Sequence, residues 1–170
     1  MFKGTYRHRL DPKGRVPVPA AFRRTLTGAD AGSLVVTQLD QCLAAYTASE
    51  WSRLEAQLAS LPAFSKPVKA LVRLLASRAV DCALDRQGRI LLPPGLRQAA
   101  GLVREAVLVG ALNRFEIWAP EPWAEFLRES EKLLDDVALD IPWPLPPQVA
   151  APSPPERRSR AARPQAKPNP

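Results

Sequence analysis

Residues 11–23 and 85–97 carry one phrase twice, 74 positions apart. Asp11-Pro12-Lys13-Gly14-Arg15 leads into Val16-Pro17-Val18-Pro19 and then Ala20, Ala21, Phe22 and Arg23. Asp85-Arg86-Gln87-Gly88-Arg89 leads into Ile90-Leu91-Leu92-Pro93 and then Pro94, Gly95, Leu96 and Arg97. Asp, Gly, Arg, an apolar run, Pro, a large apolar residue and a closing Arg all return at the same offset. Units of roughly 50 residues are marginal alone, because so short a chain buries too little of its surface. A duplicated unit of this size is therefore expected to be stabilised by its own copy or by further copies.

The turn chemistry is the same in both. Asp suits the first position of a type I turn, Pro12 the second, and Gly the left-handed fourth position that opens a hairpin bulge. An extended stretch over 4–10 enters the first turn and Val16 to Val18 returns as a strand. Pro17 lacks an N–H for a ladder, which predicts an edge or a bulge there. Pro19 presets a short helix over Ala20 to Leu26 that Gly28 can end. Leu34 to Thr37 and Leu43 to Tyr46 read as a hairpin. The second unit repeats each step: Ala79 to Leu84, the turn, Ile90 to Leu92, a short helix closed by Gly101, and a hairpin of 106–109 with 115–118 around Asn113-Arg114. The offset falls to 72 at Trp51 and Trp123, and two extra residues in the 28–32 loop account for the slip.

Each unit is followed by an amphipathic helix. Thr47 and Glu50 have capping-box spacing ahead of Trp51, Leu54, Leu58 and Leu61. A helix from Ser65 and Pro67 carries Val68, Leu71, Val72 and Leu75, with Lys66, Lys69 and Arg73 opposite. Pro120 opens the last, with Trp123, Phe126, Leu127, Leu133, Leu134 and Val137 on its stripe. These stripes predict core or subunit contacts.

The net charge of +7 is concentrated. Residues 1–24 hold seven Lys and Arg against Asp11 alone, residues 25–140 sum to −3, and residues 141–170 hold five basic groups against Glu156. Localised positive potential points to a polyanionic partner. The 141–170 segment also holds ten of the chain's 19 prolines and is expected to be disordered. Cys42 and Cys82 lie inside apolar runs without metal-ligand spacing, which predicts buried thiols. No apolar run approaches the ~20 residues of a membrane span, and no leader pattern opens the chain, so a cytoplasmic protein without a membrane partner is expected.

Catalytic chemistry finds no foothold. His8 is the only histidine and has no paired thiol or carboxylate, and phosphate-loop, dinucleotide and metal patterns are missing. No enzyme, metal, cofactor or small-molecule substrate is expected. Asp11 and Asp85, with Gly14 and Gly88, are assigned to building the turns. Lys13, Arg15, Arg86 and Arg89 are then left at the tips, where they can hold phosphate oxygens or the edge of guanine; bracing of the turn by Arg15 and Arg89 is the alternative. His8 is read as a phosphate contact or a surface residue. Because Gln87 stands where the first turn has a lysine, the first turn is expected to matter more for DNA.

These residues resemble a known family. Met1-Phe2-Lys3-Gly4, His8, Leu10, Asp11, Lys13-Gly14-Arg15, Pro19 and Phe22-Arg23 look like the start of MraZ proteins. Asp85, Gly88-Arg89-Ile90-Leu91-Leu92-Pro93, Leu96-Arg97, Ala100-Gly101-Leu102 and Glu116-Ile117-Trp118 look like that family's second repeat. The resemblance implies an α+β fold of two small β-rich SpoVT-AbrB-type units, each like a swapped-hairpin barrel with short helices. On that basis the chain divides into domain 1 over 5–48, a helical connector over 49–77, domain 2 over 78–121, a C-terminal helix over 122–140 and the tail over 141–170. It further implies a ring-shaped homo-oligomer that binds repeated double-stranded DNA sites upstream of its own gene in the division and cell-wall cluster. Repression and nucleoid association go with that reading, and Lys13, Arg15, Arg86, Arg89, Arg9 and His8 become the DNA-facing candidates. A protein-interaction module of antitoxin type, with only non-specific DNA affinity, is the alternative.

Overall fold

The computed structural model describes residues 1–62 and 64–137. Residues Met1–Leu133 form one compact unit, and the second unit, from Leu134 on, holds only the end of the last helix among the described residues. The proposed tail over 141–170 lies outside the described residues.

The strands are β1 (Thr5–Arg9), β2 (Arg15–Pro17), β3 (Ser33–Leu39), β4 (Cys42–Tyr46), β5 (Val80–Ala83), β6 (Arg89–Leu91), β7 (Glu105–Ala111) and β8 (Arg114–Trp118). The helices are α1 (Ala20–Arg23), α2 (Ala48–Ala59), α3 (Lys66–Ser77), α4 (Pro94–Ala99) and α5 (Pro120–Val137). A single 3-10 turn, Gly28–Asp30, occupies the loop that is longer in the first repeat.

The copies interleave. Six strands form one sheet in the order β1-β7-β8-β4-β3-β5, and β2 pairs with β6 in a separate two-stranded ribbon. Exchanging each strand for its copy and reading the order backwards returns the same sheet, so the repeats are related by a pseudo-twofold through the β4–β8 pair. β1 of the first repeat pairs with β7 of the second, β5 of the second pairs with β3 of the first, and all these pairings are antiparallel. The two repeats are thus halves of one packed unit, and each fills the other's core.

Strand alternation sorts the side chains into two faces. Leu34 and Val36, Leu43 and Ala45, Ala106 and Leu108, and Phe115 and Ile117 turn one face inward, where Val16, Val18, Ile90 and Leu92 of the ribbon join them in a single core. Phe22 of α1 sits at its centre, with ring centroids 5.1 Å from Phe115 and 5.1 Å from Tyr6. Phe2 joins the same cluster, 5.3 Å from Phe115, so the opening residues are part of the core. The other face packs against the longer helices. Trp51 of α2 meets Tyr46, Trp123 and Phe126 of α5 meet Trp118, and buried Thr37 donates to the Leu75 carbonyl at the end of α3.

Two expectations change in detail. The first short helix ends at Arg23 instead of Leu26, because Thr25 turns back through its hydroxyl to the Phe22 carbonyl and the chain leaves the helical path. The tight turn of the second hairpin lies at Leu112-Asn113, one residue earlier than read, with Leu112 held at φ 65°. Pro17 lies in the two-stranded ribbon, where one side of each strand is free of a ladder and a missing N–H costs nothing. Leu134 and Val137 of the α5 stripe carry side chains outside the described set, and Phe126, Leu127 and Leu133 are about half exposed.

Candidate nucleic-acid interface

Both Asp-x-x-Gly-Arg phrases fold as local chemistry demands. Gly14 N–H donates to the Asp11 carbonyl and Asp11 N–H to the Arg15 carbonyl, each at 2.9 Å. The Asp11 carboxylate accepts from the backbone N–H groups of Lys13 and Arg15, both at 2.9 Å. The second turn repeats this, with Asp85 accepting from the N–H groups of Gln87 at 2.9 Å and Arg89 at 3.0 Å. Gly14 and Gly88 stand at φ 86° and 71°, where an L side chain is strained. Backbone donation from Arg15 holds the Asp11 carboxyl below its ordinary value, and backbone donation from Arg89, then the Arg89 side chain, does so for Asp85.

The turns are coupled across the repeats. Leu92 N–H donates to the Gly14 carbonyl at 3.1 Å, and Val18 N–H to the Gly88 carbonyl at 2.9 Å. In the ribbon, Arg15 stands opposite Leu91, Val16 opposite Ile90 and Pro17 opposite Arg89. Val16 and Ile90 are fully buried, so alternation turns Arg15, Pro17, Arg89 and Leu91 outward together. Leu91 is half exposed on that face.

The two arginines of the phrase have different surroundings. Arg89 pairs with Asp85 at 2.8 Å and with Asp11 of the other repeat at 3.5 Å, while its Nε donates to Asp85 at 2.9 Å. Among the described residues Arg15 reaches only Asp11, at 3.6 Å, beyond hydrogen-bond range. Arg89 therefore has the geometry of a brace between the turns, and Arg15 keeps its guanidinium donors available. Lys13 and Arg86 are exposed at the tips.

The remaining two candidates separate. On β1, Tyr6 packs on Phe22 of the core, so His8 shares the ribbon-facing side, half-buried, whereas Arg9 points to the opposite face with Arg7. Arg9 is highly exposed and ion-pairs with Glu105 at 3.4 Å. Both nonetheless edge one small concavity, together with Arg7 and Glu105.

Two residues that sequence reasoning treated only as part of the repeat come into view here. A Cβ built on Gly14 would fall 2.6 Å from the guanidinium carbon of Arg97, and one on Gly88 would fall 2.6 Å from Cδ of Arg23. Each glycine is thus covered by the closing Arg of the other repeat. The recurrence of that Arg at one offset was the available signal, but nothing local says which glycine it covers.

Other concavities differ in charge: small ones beside β1 are lined by Arg7, His8, Arg9 and Glu105, and by Arg9, Leu10, Arg104 and Glu105. A cavity of about 650 Å³ beside Trp118 and Phe126 is edged by the carboxylates of Asp40, Glu116, Glu125 and Glu129, with Arg114 on the same wall. Cys42, also on its wall, is buried and has its thiol pushed up to about 12, and burial pushes Cys82 to about 11. Both are free and inert in character.

Comparison with known proteins agrees with this architecture. The family model described as "MraZ protein, putative antitoxin-like" matches twice, over residues 1–74 and 75–138, dividing the chain within α3. The transcriptional regulator MraZ of Ligilactobacillus salivarius (strain UCC118) is 47% identical over 142 residues, spanning 83% of this chain and 96% of the relative. With two family repeats in tandem, an interleaved α/β fold and paired Asp-x-x-Gly-Arg turns on one ribbon, this chain belongs to the MraZ family.

Proposed function

We propose that this chain is a sequence-specific DNA-binding transcriptional regulator, without enzymatic activity, that represses its own operon in the division and cell-wall cluster. The observation that carries the reading is the outward ribbon face. Arg15 stands there with open donors, Lys13 and Arg86 flank it at the turn tips, and Arg89 locks the two turns together. Phosphate neutralisation by such a set supplies affinity, and one or two base-edge contacts from a guanidinium supply preference. The similarity to a relative named as a transcriptional regulator supports the same conclusion.

A single chain offers a small face and would bind weakly. The proposal therefore includes a ring-shaped homo-oligomer that presents several copies of the face to repeated upstream sites, raising affinity through effective concentration. Exposed Phe126, Leu127 and Leu133 on α5, with Phe64 before α3, support self-association, because apolar surface of this kind marks interfaces. Cytoplasmic location with association to the nucleoid follows from DNA as the partner. Within the set, Lys13, Arg15 and Arg86 are assigned to DNA, Arg89 to the brace, His8 to a ribbon-side phosphate contact, and Arg9 to contacts outside the ribbon face.

A gel-shift titration with the DNA upstream of the chain's own gene and a scrambled duplex tests the reading. Preference for the upstream duplex is expected. Equal affinity for both would remove the specific regulator and favour the antitoxin-like interaction module.

A further inference from the structure

Each cationic turn is completed by an arginine from the other repeat, and we propose that Arg97 and Arg23 are DNA-phosphate contacts. The inference deepens the DNA-binding reading and rests on it.

The geometry at the first turn is specific. The Arg97 guanidinium lies over Gly14 in the space a Cβ would fill, with its carbon, Nε and Nη1 all within 2.9 Å of that point. Any other residue at position 14 would displace it. Gly14 therefore serves two purposes, the left-handed turn and the seat for a planar cation. The seat is fixed from below as well. Leu102 N–H donates to the Arg97 carbonyl at 2.8 Å and Gly101 N–H to the Gln98 carbonyl at 3.2 Å, a Schellman closure that anchors the last turn of α4.

What Arg97 lacks is an anion. Among the described residues no carboxylate lies within 4.0 Å of it, and its buried Nε has no hydrogen-bond partner. Nε is sealed against Gly14, so what is left for an external acceptor is the Nη edge of the guanidinium, which has no carboxylate beside it among the described residues. The only carboxylate of that turn, Asp11, is already engaged by two backbone N–H groups and two guanidinium groups. A phosphodiester oxygen has the charge and the lone pairs to take the position, and arginine is the side chain whose fork matches it.

The second turn carries the same device with different surroundings. Arg23 covers Gly88, has no carboxylate within 4.0 Å among the described residues, and is exposed. This turn has Gln87 in place of the lysine, and its Arg89 is committed to two aspartates. Arg23 restores the missing cation beside Arg86. Both turns then hold composite sites, and neither repeat carries a complete one alone.

The experiment is a salt titration of upstream-DNA binding by the full chain and three variants. Arg97→Met keeps a stem over Gly14 without the charge, Arg97→Lys keeps a charge, and Arg53→Met removes a cation on α2 far from the ribbon. Arg97→Met should bind about tenfold more weakly and lower the slope of log K against log salt by about 1, while Arg97→Lys keeps the slope and Arg53→Met matches the wild type. Arg23→Met, at an exposed position, should show the same loss of slope and keeps the test open if Arg97→Met fails to fold. Folded Arg97→Met and Arg23→Met proteins with the wild-type slope would reduce both residues to turn packing and overturn the inference. A wild type that does not prefer upstream DNA would instead count against the DNA-binding reading itself.

Discussion

Arg89 holds Asp11 of the opposite repeat at 3.5 Å while pairing with its own Asp85 at 2.8 Å. One side chain thereby ties together two turns that are 74 residues apart in sequence. Its copy Arg15 makes no such crossing, so the pseudo-twofold of the backbone is broken by these side chains.

That asymmetry separates the two arginines experimentally. Arg89→Ala leaves Asp85 without a cation and Asp11 with Arg15 alone, and should lower the urea midpoint measurably. Arg15→Ala removes one long ion pair and should lower the midpoint less than Arg89→Ala does. In DNA binding the order reverses: Arg15→Ala should lower the salt slope by about 1, with the protein still folded. A larger stability loss for Arg15→Ala would exchange the two roles.

The positive-φ glycines give a second test. Gly14→Ala forces a Cβ into the left-handed region, which should cost about 1–2 kcal/mol, and it also pushes Arg97 from its seat. Combined with Arg97→Ala, the substitution should cost less than in the wild-type background, because the side-chain part of the conflict is gone. Strict additivity in chemical denaturation would show that Arg97 does not occupy that space.

Thr37 is fully buried and donates to the Leu75 carbonyl at 2.9 Å. Thr37→Val keeps the shape and strands a carbonyl at the end of α3, so a loss of about 1–2 kcal/mol is expected. The hydrogen exchange of the α3 backbone, measured alongside, should accelerate while β2 and β6 keep their protection.

The turn carboxylates fix the acid limit. Asp11 and Asp85 have folded-state values below the ordinary carboxylate value, as does Asp30, whose carboxylate accepts from the Ser49 hydroxyl and then the Ser49 N–H. Their contribution is therefore fully present above the unfolded value of about 4 and is lost as pH falls through the lower folded values. Carboxyl-carbon NMR should place all three midpoints below the ordinary aspartate value. Midpoints at or above the ordinary aspartate value would deny the N–H caging.

Cysteine chemistry should be silent in the native protein. With thiols pushed to about 12 and about 11 by burial, Cys42 and Cys82 carry little thiolate at pH 8. A chromogenic disulfide reagent should react with neither until denaturant is added. Fast reaction of one thiol in the native state would mean that its strand opens.

The sequence by itself determined the turns, the caps and the duplication. Asp11 and Asp85 bond to N–H groups two and four residues away, Thr47 accepts from the Glu50 N–H, and the glycines fall where φ must be positive. All of these are settled within five residues, so residue identity suffices to read them. Tertiary structure alone decided how the copies combine. Two repeats built on the same pattern offer each strand two partners of similar local preference, its own or the copy's. The choice falls to the shared core around Phe22 and Phe115, to which both repeats contribute. That choice crosses β1 to β7 and β5 to β3, sets Arg97 over Gly14 and Arg23 over Gly88, gives Arg89 its second aspartate, and turns His8 and Arg9 to opposite faces. The pairings and contacts between the repeats join residues 44 to 104 positions apart, where local preference carries no information and only the closed core selects among them.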